Sequence, residues 1–256
     1  MSMRSTIART FLFFLLFLGM VSSCGRAGGP SYKIALDPSW YPWNFQEKSS
    51  NITGFSTELL SLIAEEENLS LSLLTTNWDD LLQGLKEGSY QGALSSLFPY
   101  NFNKSQYDFS STYLPLGPVL LLPSSSSLSS LEELSGKEVG VLAGSSSLPI
   151  VRNFPKIYMR TYDKDSLMIN DLLIGRIDGA LLPLIQADSF VRGTFQQKIK
   201  IATPPLNAEG LRLLTITGKY AVLLQKFDKA LKALKKKGTY QQLLQKWELS
   251  EDSSRS

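Results

Sequence analysis

Carboxylates, lysines and hydroxyls are left to do any chemistry in this 256-residue chain, which has no histidine and a single cysteine. Without imidazole, the commonest general base and metal ligand at neutral pH are both missing. Ser-His-Asp and Cys-His catalysis, zincin motifs and zinc fingers are thereby excluded. One thiol also excludes a disulfide within the chain and any multi-cysteine zinc site. What survives is carboxylate or lysine chemistry, or binding with no covalent step. A formal net charge of +3 is too small to indicate a nucleic-acid surface.

Such groups need a scaffold, and 43% apolar with 19% charged residues is the composition of a globular chain with one large or two ordinary domains. From Tyr32 onward, short apolar runs alternate with amphipathic stretches, an α/β pattern. The expected strands are residues 33–36, ended by Asp37-Pro38, then 69–74, 92–94, 138–142 and 179–182. The expected helices cover residues 57–67, 79–85 (stopped by Gly88), 166–174, and 220–249 with a break at Gly238. Residues 85–94 and 172–181 echo each other, each with a helix end, a glycine, three residues and then Gly-Ala-Leu. That repetition, with the alternation in both halves, predicts two α/β lobes meeting at a cleft beyond the carboxyl ends of their strands. The lysines of the last segment, from Lys226 to Lys237, read as the solvated face of a packed terminal helix.

The N-terminus reads as an export signal, with basic Arg4 and Arg9 followed by an apolar run over residues 11–21, too short to span a bilayer. It ends in Val21-Ser22-Ser23-Cys24, which resembles the lipobox of bacterial lipoproteins. Residues 1–23 are then a signal peptide, Cys24 the lipidated residue and 24–31 a tether. A diacylglyceryl cysteine supplies the two chains that stable anchoring needs.

Across residues 31–249 the chain resembles the family 3 solute-binding proteins of bacterial ABC importers, those for polar amino acids. The resemblance is carried by the Asp-Pro-x-Trp-x-Pro-Trp-x-Phe run ending at Phe45, Thr53-Gly54-Phe55 before the first helix, and Trp78-Asp79-x-Leu81-Leu82. Ser95-Ser96-Leu97, Tyr107-Asp108-Phe109-Ser110, Val139-Gly140-Val141-Leu142, Gly175-Arg176-Ile177-Asp178 and Lys237-Gly238-Thr239-Tyr240 continue it. It implies an α/β, two-lobe, type II periplasmic-binding-protein-like fold, each lobe a mixed sheet with flanking helices. Lobe 1 is expected at 32–115 plus 210–249, lobe 2 at 116–209 and a polar tail at 250–256.

The resemblance also implies the site. Trp40 and Trp78 sandwich the solute, Asp37 accepts a hydrogen bond from it, and Ser95, Ser96, Leu97 and Phe98 line lobe 1. Leu142, Ser145 and Ser146 line lobe 2. Two positions depart from the family: its carboxylate-binding arginine falls on Asn103 and its ammonium-binding aspartate on Pro183. Neither replacement supplies a charged partner, although Lys104 and Asp178 or Asp188 are stand-ins nearby in sequence. The implied protein is a monomeric, lipid-anchored periplasmic subunit that hands a small polar solute to a permease and its ATPase, with no cofactor, metal or nucleic acid. Two alternatives are a ligand-sensing or surface module that has lost transport, and a dehydratase-like enzyme on the same fold using Asp37, Lys104, Asp178 or Glu209.

Overall fold

A computed structural model describes residues 29–40, 48–193 and 195–250. The signal peptide, the tether through residue 28 and the Trp43–Phe45 part of the aromatic run lie outside the described residues.

The chain first lays down β1 (Ser31–Leu36), α1 (Ser49–Glu67), β2 (Ser70–Thr75), α2 (Trp78–Glu87) and β3 (Gly92–Ser95). A short α3 (Asn101–Lys104), β4 (Tyr107–Phe109) and β5 (Leu114–Pro115) complete the first pass. It then builds β6 (Pro118–Pro123), β7 (Glu138–Leu142), α4 (Ser147–Arg152), β8 (Tyr158–Tyr162), α5 (Asp165–Leu173), β9 (Gly179–Pro183), α6 (Leu184–Arg192) and β10 (Ile199–Ile201). Finally it returns through β11 (Gly210–Ile216) to α7 (Ala221–Lys237) and α8 (Thr239–Lys246). Among the described residues no helix is long and apolar enough to cross a membrane.

Two sheets result, in the orders β2-β1-β3-β11-β4 and β10-β6-β9-β7-β8, with β5 added to β11. Read from the opposite edge, the second is β8-β7-β9-β6-β10, and the directions match strand for strand. In the first sheet β1 is parallel to β2 and β3, and β11 is antiparallel to β3 and β4. In the second, β7 is parallel to β8 and β9, and β6 is antiparallel to β9 and β10. The echoed segments occupy corresponding places: helix, positive-φ glycine (Gly88 at 81°, Gly175 at 74°), then the strand between the parallel pair and the antiparallel strand.

Strands covered on both faces read as unbroken apolar runs, and Ile34, Ala35 and Leu36 are fully buried accordingly. The main core lies between the first sheet and α1, α7 and α8; the other face of that sheet is closed by α2 through Leu81, Leu85, Ala93 and Leu214. The second sheet is covered by Met168, Ile169 and Leu172 of α5 on one face and by Leu134 and Val151 on the other.

Helix α1 starts at Ser49, eight residues before the expected 57. Thr53-Gly54-Phe55 therefore lies inside the helix and not before it, and Gly54 is where the Trp247 ring packs against it, since a Cβ there would sit 2.2 Å from that ring. The expected start at residue 79 moves one residue: Asn77 caps α2 by accepting the Asp80 N–H at 2.9 Å. The lysines of the terminal helix form a solvated face as expected, and two of them, Lys229 and Lys237, also reach Glu67 and Glu66 of α1 at the surface.

The chain passes from the first sheet to the second between Pro115 and Pro118 and returns between Ile201 and Gly210. The two crossings bond to each other: Leu116 N–H donates to Glu209 O at 2.9 Å and Leu206 N–H to Pro118 O at 2.8 Å. They pack closely, and a Cβ on Gly117 would meet Asn207 Oδ1 at 2.5 Å.

Candidate functional site

The register shows which sheet edges the crossings join. Leu36 is level with Thr75 and Leu94, so the carboxyl ends of β1, β2 and β3 form one edge, and antiparallel β11 enters at that edge with Arg212 opposite Ser95. In the second sheet the carboxyl ends of β7 and β9 lie together, and antiparallel β6 enters there with Pro118 opposite Pro183. The carboxyl edges of both sheets thus adjoin the crossings, the location where open α/β sheets take ligands.

On the lobe 1 edge, Ser95 ends β3 and its Oγ accepts the Leu97 N–H at 3.0 Å. Ser96 is buried beside it. Trp78 begins α2 and, with Leu97, packs partly buried on the cluster containing Leu81 and Ala93. The Phe98 ring lies 4.6 Å from that of Tyr100, and its carbonyl accepts Asn103 Nδ2 at 2.7 Å. The Asn103 amide therefore ties the 98–103 loop to itself. Asp37 follows β1, and both carboxylate oxygens accept the Ser39 hydroxyl at 2.7 Å, with the Ser39 N–H adding a bond at 2.9 Å. That is a turn-closing role.

On the lobe 2 edge, Ser145 Oγ donates to Leu142 O at 2.7 Å, closing the turn after β7. Ser146 Oγ donates to Glu209 Oε2 at 2.9 Å, so the lobe 2 turn is bonded directly to the returning crossing. Pro183 is buried at the end of β9, where α6 begins.

Several expectations part company here. Trp40 and Trp78 do not form an open pair of rings: Trp40 is 1% exposed, has φ of 52° and packs in the main core, its Nε1 buried without a partner among the described residues. Asp178 precedes β9 and so lies at the opposite edge of the sheet, paired with Lys137 at 3.0 Å and accepting the Glu138 N–H at 2.9 Å. Asp188 pairs with Arg192 on α6 at 2.7 Å, and Lys104 is exposed. Asp37, Asp178, Lys104 and Glu209 are consequently not gathered as an acid–base set, and no metal-holding group of three or more His, Cys, Asp or Glu occurs among the described residues.

Two charged residues bear more directly on the site, Glu209 at the end of the returning crossing and Arg212 just inside β11. Burial pushes the Glu209 carboxyl above the ordinary carboxylate range, against the lowering effect of the bonds with Ser146 and Asn207. Arg212 is 5% exposed, and desolvation lowers the pKa of its guanidinium. Glu209 stood out in the sequence only as an acid, and Arg212 not at all; the antiparallel register that puts Arg212 beside Ser95 is not visible in local patterning.

The Glu209 environment gives a signed expectation. Its carboxyl ionises at lower pH in the unfolded chain than in the folded one, so it costs stability as pH rises from the ordinary carboxylate value through the folded value. Glu209→Gln, which keeps a Ser146 partner, is expected to raise the melting temperature near about pH 8 and to lose that advantage near about pH 4. An equal difference at both pH values in thermal melts would contradict it.

Two lobes of one strand order, joined by mutually bonded crossings that their carboxyl strand edges adjoin, have the two-lobe type II solute-binding fold. Residues 32–250 match the family described as bacterial extracellular solute-binding proteins, family 3, and the chain belongs to that family. It is 27% identical over 217 residues to the L-cystine-binding protein TcyJ of Escherichia coli, covering 84% of this chain and 81% of that one. It is 25% identical over 244 residues to the arginine-binding extracellular protein ArtP of Bacillus subtilis, covering 94% and 95%. A crystal structure of the L-cystine solute receptor of Neisseria gonorrhoeae in an unliganded open conformation shares the fold, with TM-score 0.71 at 19% identity, covering 88% of this chain and 96% of that one.

Proposed function

We propose that this protein is the extracytoplasmic substrate-binding subunit of an ABC importer and takes an amino acid or a close analogue between its lobes. The observation that carries this is the meeting of both carboxyl strand edges at the two crossings, with Ser146 of one lobe bonded to Glu209 of the return segment at 2.9 Å. Relatives named for L-cystine and arginine binding support the solute class.

The solute sits against Trp78 and residues 95–98 of lobe 1 (32–115 plus 210–249) and against Leu142, Ser145 and Ser146 of lobe 2 (116–209). Asp37 orders the turn beside it through Ser39. Closure follows from differential contact: a solute touching both lobes favours the state in which both touches are made. Binding and release complete the cycle without a covalent step, cofactor or metal. Cys24 holds the mature, monomeric chain to the membrane by its lipid, so that a Cys24→Ser protein leaves the membrane fraction.

The test is a thermal-shift and calorimetric screen against the standard L-amino acids and L-cystine. Ligand at a hundred times its Kd stabilises a folded protein by about 2.7 kcal/mol, so a binder produces a saturable rise in melting temperature. No rise with any of them would sink the amino-acid reading.

A further inference from the structure

Arg212 is a buried cation with no counter-charge among the described residues. Charged side chains are almost never fully buried unless paired, yet no carboxylate lies within ion-pair distance of this one among the described residues. Its Nη1 donates to Gly210 O at 3.2 Å and its Nη2 to Ala208 O at 2.5 Å, and the Phe98 ring centroid is 5.9 Å from Cζ. Nε–H has no acceptor among the described residues, and Nε is not among the atoms sealed from solvent. The two carbonyls hold the guanidinium in place and leave part of its donor fork unused.

The direction of that fork follows from the strand pattern. Leu211 and Leu213 enter the main core beneath α1, whereas Leu214 enters the cluster under α2. Residues alternate faces along a strand, and directly opposed residues share one. Arg212 therefore shares the α2 face with Ser95, its partner in register, at the edge carrying Trp78, Leu97 and Phe98. Asn103 is neutral with its amide bonded to the Phe98 carbonyl, and Lys104 is exposed. Among the described residues of this edge the buried positive charge belongs to Arg212, and a planar fork suits a carboxylate better than an ammonium point charge would.

We propose that Arg212 is the anion-recognition residue of the cleft, and that the solute carries a carboxylate which the open edge of this guanidinium binds from the returning crossing strand. The inference rests on the solute-binding reading above and deepens it. Arg212 stands in β11 just past the returning crossing, and Glu209, three residues earlier at the end of that crossing, is bonded to Ser146 of lobe 2, which ties recognition to the segment that closure must bend.

The test titrates the wild-type chain with L-arginine, L-histidine and L-cystine, with the methyl ester of each, and with succinate and pyruvate as carboxylates lacking an amine. The acid that binds is expected to exceed its ester by at least ~30-fold, the lower end of what losing one partner of a buried charge pair costs. Arg212→Met is expected to lose affinity for the acid by a similar factor and to bind the ester nearly unchanged, while Arg212→Lys recovers part of the loss. An ester that binds the wild type as tightly as its acid overturns the assignment with no variant needed. So does a cooperatively melting Arg212→Met that binds the acid like the wild type; the amino-acid reading survives both outcomes. Binding of succinate or pyruvate alone, lost in Arg212→Met, upholds Arg212 and overturns the amino-acid reading. If none of these acids binds the wild type, both fail.

Discussion

Phe55→Ala is expected to destabilise the protein by about 3–5 kcal/mol, the usual cost of emptying an aromatic site in a packed core. Phe55 is fully buried in α1, with its ring stacked on Tyr113 at 6.4 Å and edge-on to Tyr240 at 5.7 Å. Those contacts connect three distant parts of the chain: the first helix, the segment leading into the first crossing, and the C-terminal helix. The same hub is polar where it must be. Tyr240 Oη donates to Tyr113 O at 2.6 Å, and the Tyr113 and Ser56 hydroxyls are 3.0 Å apart. Burial pushes the Tyr113 phenol above its ordinary pKa, so it stays neutral across the physiological range. Alanine leaves a cavity that these constrained neighbours cannot collapse into, and a melting-temperature fall of roughly 6–20 °C should follow for a chain this size. A fall corresponding to under about 1 kcal/mol would show that the three elements do not depend on this ring.

Gly210→Val is the second large effect expected, and it acts at the hinge. A Cβ at this position would lie 2.4 Å from Thr112 Cγ2, 2.6 Å from Leu114 O and 3.1 Å from Pro115 Cα. Two of those atoms are backbone of the paired strand β5, so the clash cannot be relieved by rotating a side chain. The expected cost is about 1–3 kcal/mol for overpacking. Because Gly210 pairs with Pro115 where the chain changes lobes, solute affinity is expected to fall as well. Thermal melts and calorimetry read the two effects separately, and a variant with wild-type values in both would show that the crossings have slack the structure does not contain.

Much of the fold was legible because its signals are local. The apolar run at Ile34 to Leu36 and the stop at Gly88 declare themselves within a few residues, and the repeated glycine-to-strand segment, with the alternation in both halves, pointed to two α/β lobes. The antiparallel strands β6 and β11 were harder: each pairs with residues far away in sequence, Arg212 with Ser95 and Pro118 with Pro183. The site divides along the same line. Residues 95–98 and 142–146 end or follow strands at the two carboxyl edges that adjoin the crossings. Asp178 looked equally available, but it precedes its strand and so lies at the far edge. Trp40 combined an aromatic with a turn in the sequence, and only tertiary packing decides that its ring joins the core. Arg212 carries no local mark at all, since its significance comes from burial without a counter-charge.

Lobe closure on a solute is tested most directly by small-angle X-ray scattering of the wild-type chain, dialysed free of carried-over solute, with and without saturating L-arginine, L-histidine and L-cystine in turn. A saturable decrease in the radius of gyration with at least one of them, at the concentrations where that solute raises the melting temperature, is expected if the lobes bend about the paired crossings. A protein that binds an amino acid with no change in its scattering would contradict closure, and one whose scattering and melting are both unmoved by all three would contradict amino-acid binding as well.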